Sequence, residues 1–282
     1  MEISSDAELT IECNPESLSE DKVRDLRSLG INRISLGVQS FQDVQLRRLE
    51  RLSTRKHLYK AIEWIASHFK NFSLDLMVGL PDQSPELFER DLEEILKVNP
   101  PHISAYILTL KEDHVWKTAP AMKDRMIDDE QVESFYLRLI EQLRSAGFGQ
   151  YEVSNFARPG FESRHNSNYW DVKSSYLGLG PGAHGYLDRV RYECVREPKA
   201  WMNSLSGVSS FERLTQEQQE LEEFYMTLRT RRPANIADFR SAAIGALQQS
   251  GHILVNQAQG TFTLSDRGWL LMESVAERLL AQ

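Results

Sequence analysis

The sequence predicts an α/β fold in which a partial (β/α) barrel with parallel strands is followed by a small winged-helix-like domain. Over residues 1–195, short β-rich runs alternate with amphipathic segments long enough to be crossover helices, as parallel βαβ units require. The chain starts almost directly on a strand, which suggests a barrel entered partway round; an open doubly wound sheet is the alternative. From residue 196 the pattern changes to helix, helix, hairpin and helix, so a second domain is predicted over 196–282.

Five strands are predicted in the first domain, each bounded by turn residues or by a helix. They are Leu9–Cys13, Arg33–Val38, Phe72–Val78, His102–Leu108 and Tyr151–Ser154. Helical periodicity links them and is clearest over Asp128–Ala146, where apolar residues recur on one face. A parallel sheet covered by helices is buried on both sides, so we expect strands that are apolar on both faces.

Three helices around one hairpin are predicted for the second domain. Helices cover Thr215–Arg231 and Ala234–Gln249, strands follow at His252–Asn256 and Thr261–Leu264, and a final helix covers Asp266–Leu280. Winged-helix units commonly bind DNA, which requires a basic surface. Residues 211–282 contain 7 Arg and no Lys against 9 Asp and Glu, so a structural or docking role is favoured over that of a DNA-binding regulator.

The whole chain is acidic, with 33 Lys and Arg against 41 Asp and Glu and a net charge of −8. This balance disfavours non-specific binding to nucleic acid, and we expect no nucleic-acid partner. No apolar run approaches the roughly 18 residues of a membrane span. Only Cys13 and Cys194 are present, which excludes a disulfide framework and predicts a cytoplasmic location.

Polar residues at or near the ends of successive predicted strands indicate a ligand site, because functional groups in a barrel lie at the carboxyl ends of strands. These residues are Glu12, Gln39, Asp75 and Thr109, with Arg51 nearby in sequence. Carboxylates, an amide and a guanidinium suit a small zwitterion that carries a ribose. The structural alternative is that Glu12 pairs with a Lys or Arg and that Asp75 caps a loop. It explains each residue alone better than it explains the whole set.

The order and spacing of TIECNP, SLGVQSF, Arg51, LDLMVGLP and Thr109 resemble the coproporphyrinogen oxidase-like branch of radical S-adenosylmethionine (SAM) proteins. That resemblance implies that Glu12 binds the amino group of SAM and Arg51 its carboxylate. It also implies that Gln39 and Asp75 contact the ribose and that the backbone at Thr109 lies near the adenine.

Three further motifs, YEVSNFARPG, RHNSNYW and YLGLGPGAHG, are similar to those of the HemW-type haem chaperone family. The resemblance covers essentially the whole chain. It implies a protein that binds haem and delivers it to an acceptor protein, which is not identified and can be membrane-associated. The alternative is an oxygen-independent coproporphyrinogen III oxidase, an enzyme of porphyrin biosynthesis, whose sequence lacks the His-Asn-x-x-Tyr-Trp box.

The same resemblance implies that His165 is needed for haem binding, and neutral imidazole is a standard ligand of haem iron. Tyr169 and Trp170 offer flat apolar faces for a porphyrin. The alternative is that HNSNYW is a rigid loop whose polar side chains satisfy backbone groups. His184 aligns near a second ligand position in the related oxidase, with a purely structural role as its alternative. The other five histidines, including His102, are interpreted as ordinary.

Radical SAM chemistry needs three cysteine thiolates at CxxxCxxC spacing to hold a 4Fe–4S cluster. Cys13 and Cys194 cannot replace that motif, so the chain as given is not expected to cleave SAM. We expect the cluster ligands in an N-terminal segment that this sequence lacks; a paralogue that has lost the cluster is the alternative. The first explanation is favoured because all the SAM-contacting residues are retained.

Overall fold

The computed structural model describes residues 3–110, 116 and 125–281. The chain folds into two compact units, Met1–Ser163 and Arg164–Gln282, which are named unit 1 and unit 2. The predicted boundary at residue 195 lies inside unit 2. Residues that follow Ser163 form a hairpin that pairs with a later strand of the same unit, which is why they belong with the C-terminal part of the chain.

Unit 1 contains a six-stranded sheet in the order β1-β2-β3-β4-β6-β5. Strands β1 to β4 are parallel, as predicted. The strands are β1 (Thr10–Cys13), β2 (Arg33–Gln39), β3 (Phe72–Val78), β4 (His102–Ile107), β5 (Gly149–Glu152) and β6 (Asn155–Ala157).

Among the described residues, the helices that connect these strands are α1 (Glu20–Ser28), α2 (Asp43–Arg48), α3 (Arg55–His68), α4 (Pro85–Val98) and α5 (Asp129–Ser145). The long helices begin where a short polar side chain accepts from a backbone amide of the first turn. The capping residues are Ser19, Thr54, Ser84 and Asp128. Helix α4 ends at Asn99 in the left-handed conformation, directly before Pro100 and Pro101.

The two faces of the parallel sheet differ, and the expectation of strands apolar on both faces is wrong. In β2, the buried residues Ile34, Leu36 and Val38 alternate with Arg33 and Ser35. The same alternation occurs in β3 and β4, and the ladder registers place the polar positions of neighbouring strands side by side. One face therefore buries aliphatic side chains, whereas the other carries the polar groups from which the candidate site is built.

The predicted strand Tyr151–Ser154 is part of a hairpin. Strand β5 ends at Glu152, a two-residue turn follows, and β6 returns antiparallel to both β5 and β4. The turn contains Val153 and Ser154 and has neither Gly nor Pro, so the usual turn signals are missing from the sequence. In the described part of the chain the sheet is open, with β1 and β5 at its edges.

Unit 2 contains two antiparallel three-stranded sheets. The first has the order β7-β8-β9 and the second the order β10-β12-β11. The strands are β7 (His184–Leu187), β8 (Val190–Cys194), β9 (Val208–Arg213), β10 (Ala234–Asn235), β11 (Ile253–Asn256) and β12 (Thr261–Leu264). The helices are α6 (Arg164–Tyr169), α7 (Pro198–Asn203), α8 (Gln216–Leu228), α9 (Ser241–Gln249), α10 (Asp266–Leu270) and α11 (Met272–Leu280).

The second sheet packs with α8, α9, α10 and α11 around a core that includes Phe262 and Trp269. Two predicted helices differ in detail. The segment predicted as Ala234–Gln249 begins with β10 and a turn in which the Asn235 side chain accepts from the amide of Ala237, and only then becomes α9. The final helix is interrupted at Leu271, whose backbone leaves the helical region. The α/β fold with a small C-terminal helical and antiparallel part is confirmed.

Within the described ranges, none of the helices is both long enough and apolar enough to cross a bilayer.

Candidate functional site

The polar face of the unit 1 sheet centres on Asp75 in β3. The Ser35 hydroxyl lies 3.0 Å from both Asp75 carboxylate oxygens, and Ser73 donates to Oδ1 at 3.1 Å. Burial raises the pKa of Asp75, and the hydrogen bonds from the neighbouring serines, of which Ser104 contributes most, oppose that rise. Asp75 therefore does not cap a loop; it is held as a hydrogen-bond acceptor on the sheet.

A chain of hydrogen bonds leads across this face to Asp75. The Ser163 amide donates to the Tyr151 hydroxyl at 3.2 Å, and Tyr151 Oη lies 2.8 Å from His102 Nε2. His102 Nδ1 lies 2.8 Å from Ser73 Oγ. Because Ser73 has one hydroxyl hydrogen and gives it to Asp75, its oxygen accepts from Nδ1–H of His102, and Nε2 accepts from Tyr151. The donors all point towards the carboxylate.

His102 is fully buried in this chain of hydrogen bonds. Burial lowers the pKa of His102 to about 3, and the positive charge of Arg33 acts in the same direction. Burial also raises the pKa of Tyr151. Both groups are therefore uncharged at neutral pH. The interpretation of His102 as an ordinary residue missed its link to Asp75, which only the strand register reveals.

Gln39 and Arg51 lie together at the end of β2. Arg51 Nη2 donates to Asn14 Oδ1 at 2.8 Å and to the Gly37 carbonyl at 3.0 Å. A β-carbon on Gly37 would lie 3.0 Å from Gln39 Nε2 and 3.2 Å from Arg51 Nη2, so both side chains cover the bare glycine. Gly37 pairs with Asp75 in the ladder between β2 and β3, so Gln39 and Arg51 lie next to the hydrogen-bonded residues around Asp75. Sequence reasoning missed Asn14.

The backbone at Gln39 is bulged and left-handed. The register between β2 and β3 shifts after Gly37, and Gln39 has a φ of 65°. Such bulges redirect side chains and are frequent next to functional sites. Asp91 of α4 fixes the loop that follows, because it accepts from Ser40 Oγ and from the Phe41 amide, each at 2.7 Å. Burial raises the pKa of Asp91 to about 6, although these hydrogen bonds oppose the rise.

Glu12 and Thr109 lie at the margins of this group. Glu12 pairs with Ser35 in the ladder and is exposed, and no Lys or Arg of the described residues forms an ion pair with it. Burial raises the pKa of Tyr106 on β4, and the negative charges of Asp75 and Glu12 add to the rise. Thr109 is exposed beyond β4, and its hydroxyl donates to the Ile107 carbonyl at 3.4 Å. The structure thus brings Gln39, Arg51 and Asp75 together, with Glu12 on the same face and Thr109 beyond the strand.

These residues fit a SAM-like ligand. Buried Arg51 Nε has no hydrogen-bond partner among the described residues, although its Nη2 is fixed, so the guanidinium retains a donor. A guanidinium, an amide and an oriented carboxylate are the groups that an amino acid carboxylate and a diol require. The missing β-carbon at Gly37 is what allows Gln39 and Arg51 to lie against the strand.

The cysteines of this chain do not fit a 4Fe–4S cluster. Cys13 is half-buried in β1, and burial raises the pKa of its thiol, with Glu12 adding to the rise. Cys194 is buried in unit 2. A high thiol pKa disfavours the thiolate that iron binds. The described residues also contain no group of three His, Cys, Asp or Glu side chains arranged to hold a metal ion.

Unit 2 carries the residues predicted for haem. Helix α6 places His165 and Tyr169 one turn apart, with ring centroids 4.9 Å apart in an edge-to-face arrangement. Tyr169 in turn lies 4.7 Å from Tyr176. His165 is exposed and Tyr169 is 40% exposed. The segment is therefore a short helix, and it presents an imidazole beside an accessible aromatic surface.

Trp170 follows directly and is half-buried. The guanidinium of Arg229 lies over its ring at 5.3 Å from the centroid, within cation–π range. Arg232 donates through Nη2 to the Trp170 carbonyl. One face of the indole is thus covered by Arg229, and the buried Nε1 has no hydrogen-bond partner among the described residues. Sequence reasoning missed both arginines because they lie some sixty residues downstream.

His184 begins β7 and is exposed. It pairs with Glu193 of β8 and lines an open cavity of about 450 Å³, which Tyr176, Tyr192 and Phe211 also line. Tyr176 therefore both contacts Tyr169 and lines this cavity.

Two glycines allow the hairpin that carries His184 to form. A β-carbon on Gly178 would lie 2.2 Å from the His184 carbonyl oxygen, and one on Gly185 would lie 2.2 Å from the Tyr192 ring. The Tyr192 hydroxyl meets the backbone of Gly178, accepting from its amide at 3.0 Å. The glycine-rich segment thus serves close backbone packing next to His184.

Comparison with known proteins agrees with this fold. Residues 1–95 match the family model of the radical SAM superfamily, which implies SAM and a 4Fe–4S cluster as the cofactors of that family. A solved structure of coproporphyrinogen III oxidase HemN from Escherichia coli superimposes with a TM-score of 0.81 over 99% of this chain and 70% of that one. At 19% sequence identity, this likeness describes the fold alone.

Curated relatives are more informative. The chain is 30% identical to the heme chaperone HemW of Lactococcus lactis over 97% of its own length and 75% of the relative's. It is 32% identical to HemW of Mycobacterium tuberculosis, covering 99% and 73% of the two chains.

The chain is also 36% identical to HemW of Escherichia coli, over 71% of this chain and 53% of that one. It therefore spans between about half and three quarters of the length of these relatives. Their shared name favours the chaperone interpretation over coproporphyrinogen oxidase. With this identity and coverage, the chain belongs to the HemW heme chaperone family of the radical SAM superfamily.

Proposed function

We propose that this protein is a haem chaperone that holds haem through unit 2 and delivers it to an acceptor protein. The observation that carries the proposal is the exposed imidazole of His165, which stands beside the accessible ring of Tyr169. A histidine nitrogen ligates haem iron, and an aromatic surface next to it suits the flat porphyrin. The HemW relatives support the same conclusion.

Unit 1 contributes to this function by binding SAM. Arg51 binds the carboxylate of SAM, Gln39 and Asp75 bind the ribose hydroxyls, Glu12 binds the amino group and the backbone at Thr109 lies beside the adenine. A 4Fe–4S cluster supplies reductive cleavage of SAM when it is bound in the radical SAM family. The residues of this chain do not provide its thiolates, so its own contribution is to bind and orient the nucleoside.

Titration with ferric haem tests the haem assignment. The Soret band of the wild-type complex is expected to report histidine ligation, and His165→Ala should remove that signature and weaken binding about tenfold or more. His57→Ala is the matched control, because His57 is an exposed histidine on α3 of unit 1. Identical spectra for the wild type and His165→Ala would exclude His165 as the ligand.

Calorimetry with SAM tests the role of unit 1. Arg51→Gln is expected to weaken SAM binding about tenfold, since it removes a charged hydrogen bond to the ligand carboxylate. Arg47→Gln, which changes an exposed arginine of α2, is the matched control. Equal affinities of the wild type and Arg51→Gln for SAM would rule out this assignment.

A further inference from the structure

Two arginines lie next to the candidate haem segment and take no part in the proposed contacts with SAM or with the haem iron. Arg229 follows the last residue of α8, and Arg232 lies three residues further on. Both approach Trp170, one over its indole ring and the other through its backbone carbonyl. The residue that follows the Tyr169 aromatic surface is therefore flanked by two positive charges.

Neither charge is neutralised by a carboxylate among the described residues. Other arginines of unit 2 have carboxylate partners; Arg191, for example, pairs with Glu212 and Glu222 at 3.0 and 2.6 Å. Within the described ranges, Arg229 and Arg232 form no ion pair with Asp or Glu. Arg232 contacts Thr230 Oγ1 and the Trp170 carbonyl, both of which are uncharged. The pair is thus held in place by neutral groups and retains its net positive charge.

Haem presents the complementary chemistry. It is a flat macrocycle with an iron at its centre and two propionate carboxylates at one edge. A guanidinium matches a carboxylate in geometry and charge, and arginine held against an aromatic ring is pre-organised for that contact. The HNSNYW segment carries both the imidazole of His165 and Trp170, and the arginines lie against Trp170, so one short segment of unit 2 brings the iron ligand and the cations into the same neighbourhood.

We infer that Arg229 and Arg232 bind the propionate carboxylates of haem, with Trp170 acting as the platform that holds the two guanidinium groups. This inference rests on the proposed function, because it takes haem as the cargo. It adds that the two arginines allow the protein to distinguish haem from porphyrins without free carboxylates. Trp170 then acts through the arginines as a positioning residue, while Tyr169 supplies the aromatic contact.

The test compares ferric haem with its dimethyl ester, in which both propionates are uncharged, using the whole 282-residue chain. Arg229→Gln/Arg232→Gln is expected to weaken haem binding about tenfold or more and to leave affinity for the ester within about twofold of the wild type. Raising the salt concentration should weaken haem binding in the wild type more than in the double variant. Arg278→Gln, on the exposed side of α11, is the matched control and should change neither affinity.

A purely structural role of the arginines would give a different result. If they only support Trp170, the double variant loses affinity for haem and for the ester equally, which would overturn the inference, as would no loss for either. Arg229→Lys/Arg232→Lys keeps the charges and is expected to keep the preference for haem over the ester, which separates charge from folding defects. The Soret bands of haem and of its dimethyl ester both report whether His165 ligates the iron, since His165→Ala should change both spectra. The difference in affinity between the two compounds reports the propionate contact, so the two assignments can fail separately.

Discussion

Hydrogen bonds to neighbouring residues hold the polar side chains of unit 1 in position. Asp75 is an acceptor held by Ser35 and Ser73, and Ser73 is itself fixed by His102. Asp91 similarly holds the loop that follows Gln39. Burial shifts the pKa values of His102 and Asp91 in ways that make stability depend on pH with opposite signs.

His102 should destabilise the protein in acid. Its pKa is lowered to about 3 in the folded state, so the unfolded chain binds the proton first and stability is lost as the pH falls below about 6.5. Between pH 6.5 and 4, the wild type should lose about 3 kcal/mol of unfolding free energy relative to His102→Asn. Urea unfolding of both proteins at each pH measures this difference. A difference that does not change with pH would show that His102 becomes charged without cost.

Asp91 should act in the opposite direction. Its pKa is raised to about 6, so the folded state holds the proton more tightly and this contribution is lost as the pH rises through 6. Relative to Asp91→Asn, the wild type should gain about 2.5 kcal/mol of unfolding free energy when the pH falls from 7 to 4. The same urea titrations provide the measurement. A relative loss of stability in acid would mean that Asp91 is ionised by its hydrogen bonds despite its burial.

Gly37 gives a direct test of the Gln39 and Arg51 pair. An added methyl group would lie 3.0–3.2 Å from both side chains, so Gly37→Ala should displace them and weaken SAM binding about tenfold. The change in unfolding free energy should stay below about 1 kcal/mol, because both contacts are the ends of flexible side chains. Calorimetry and urea unfolding measure the two effects. Unchanged SAM affinity would show that Gln39 and Arg51 do not bind the ligand.

At the level of helices and strands, much of unit 1 could be predicted because residue patterns there match the period of each element. RISLGV and FSLDLMV were assigned to within a residue or two of β2 and β3. The alternation of Arg33 and Ser35 with Ile34 and Leu36 also shows in the sequence, and would have predicted one polar face. The hairpin of β5 and β6 could not be predicted, because its turn, Val153 and Ser154, lacks the glycine that marks a tight two-residue hairpin.

The close contact between Gly178 and the backbone of His184 in β7 predicts that unit 2 does not tolerate a larger residue at position 178. Gly178→Ala should destabilise the unit by about 3 kcal/mol or more, because a β-carbon would overlap the His184 carbonyl and rigid backbone must move. Gly245→Ala is the control, since this glycine of α9 has open space around its missing β-carbon. It should stabilise the helix by roughly 0.5–1 kcal/mol. Thermal unfolding measures both, and equal effects of the two substitutions would contradict the close packing.

For the whole molecule, the sequence predicted two structural parts with a change of pattern at residue 196, whereas the compact units are Met1–Ser163 and Arg164–Gln282. Sequence patterns do not show that β8 pairs with β9, because antiparallel partners separated by a long loop share no local period. The arginines beside Trp170 were missed for the same reason: contacts between distant residues depend on the fold. The grouping of Gln39, Arg51 and Asp75 was anticipated only because parallel strands align their carboxyl ends.

The most direct measurement is a crystal structure of the chain with ferric haem, with the iron located from its anomalous scattering. One iron is expected within bonding distance of a His165 imidazole nitrogen, with the porphyrin against Tyr169 and its propionates directed towards Arg229 and Arg232. An iron peak away from His165 in a haem-bound crystal would contradict the proposed haem site.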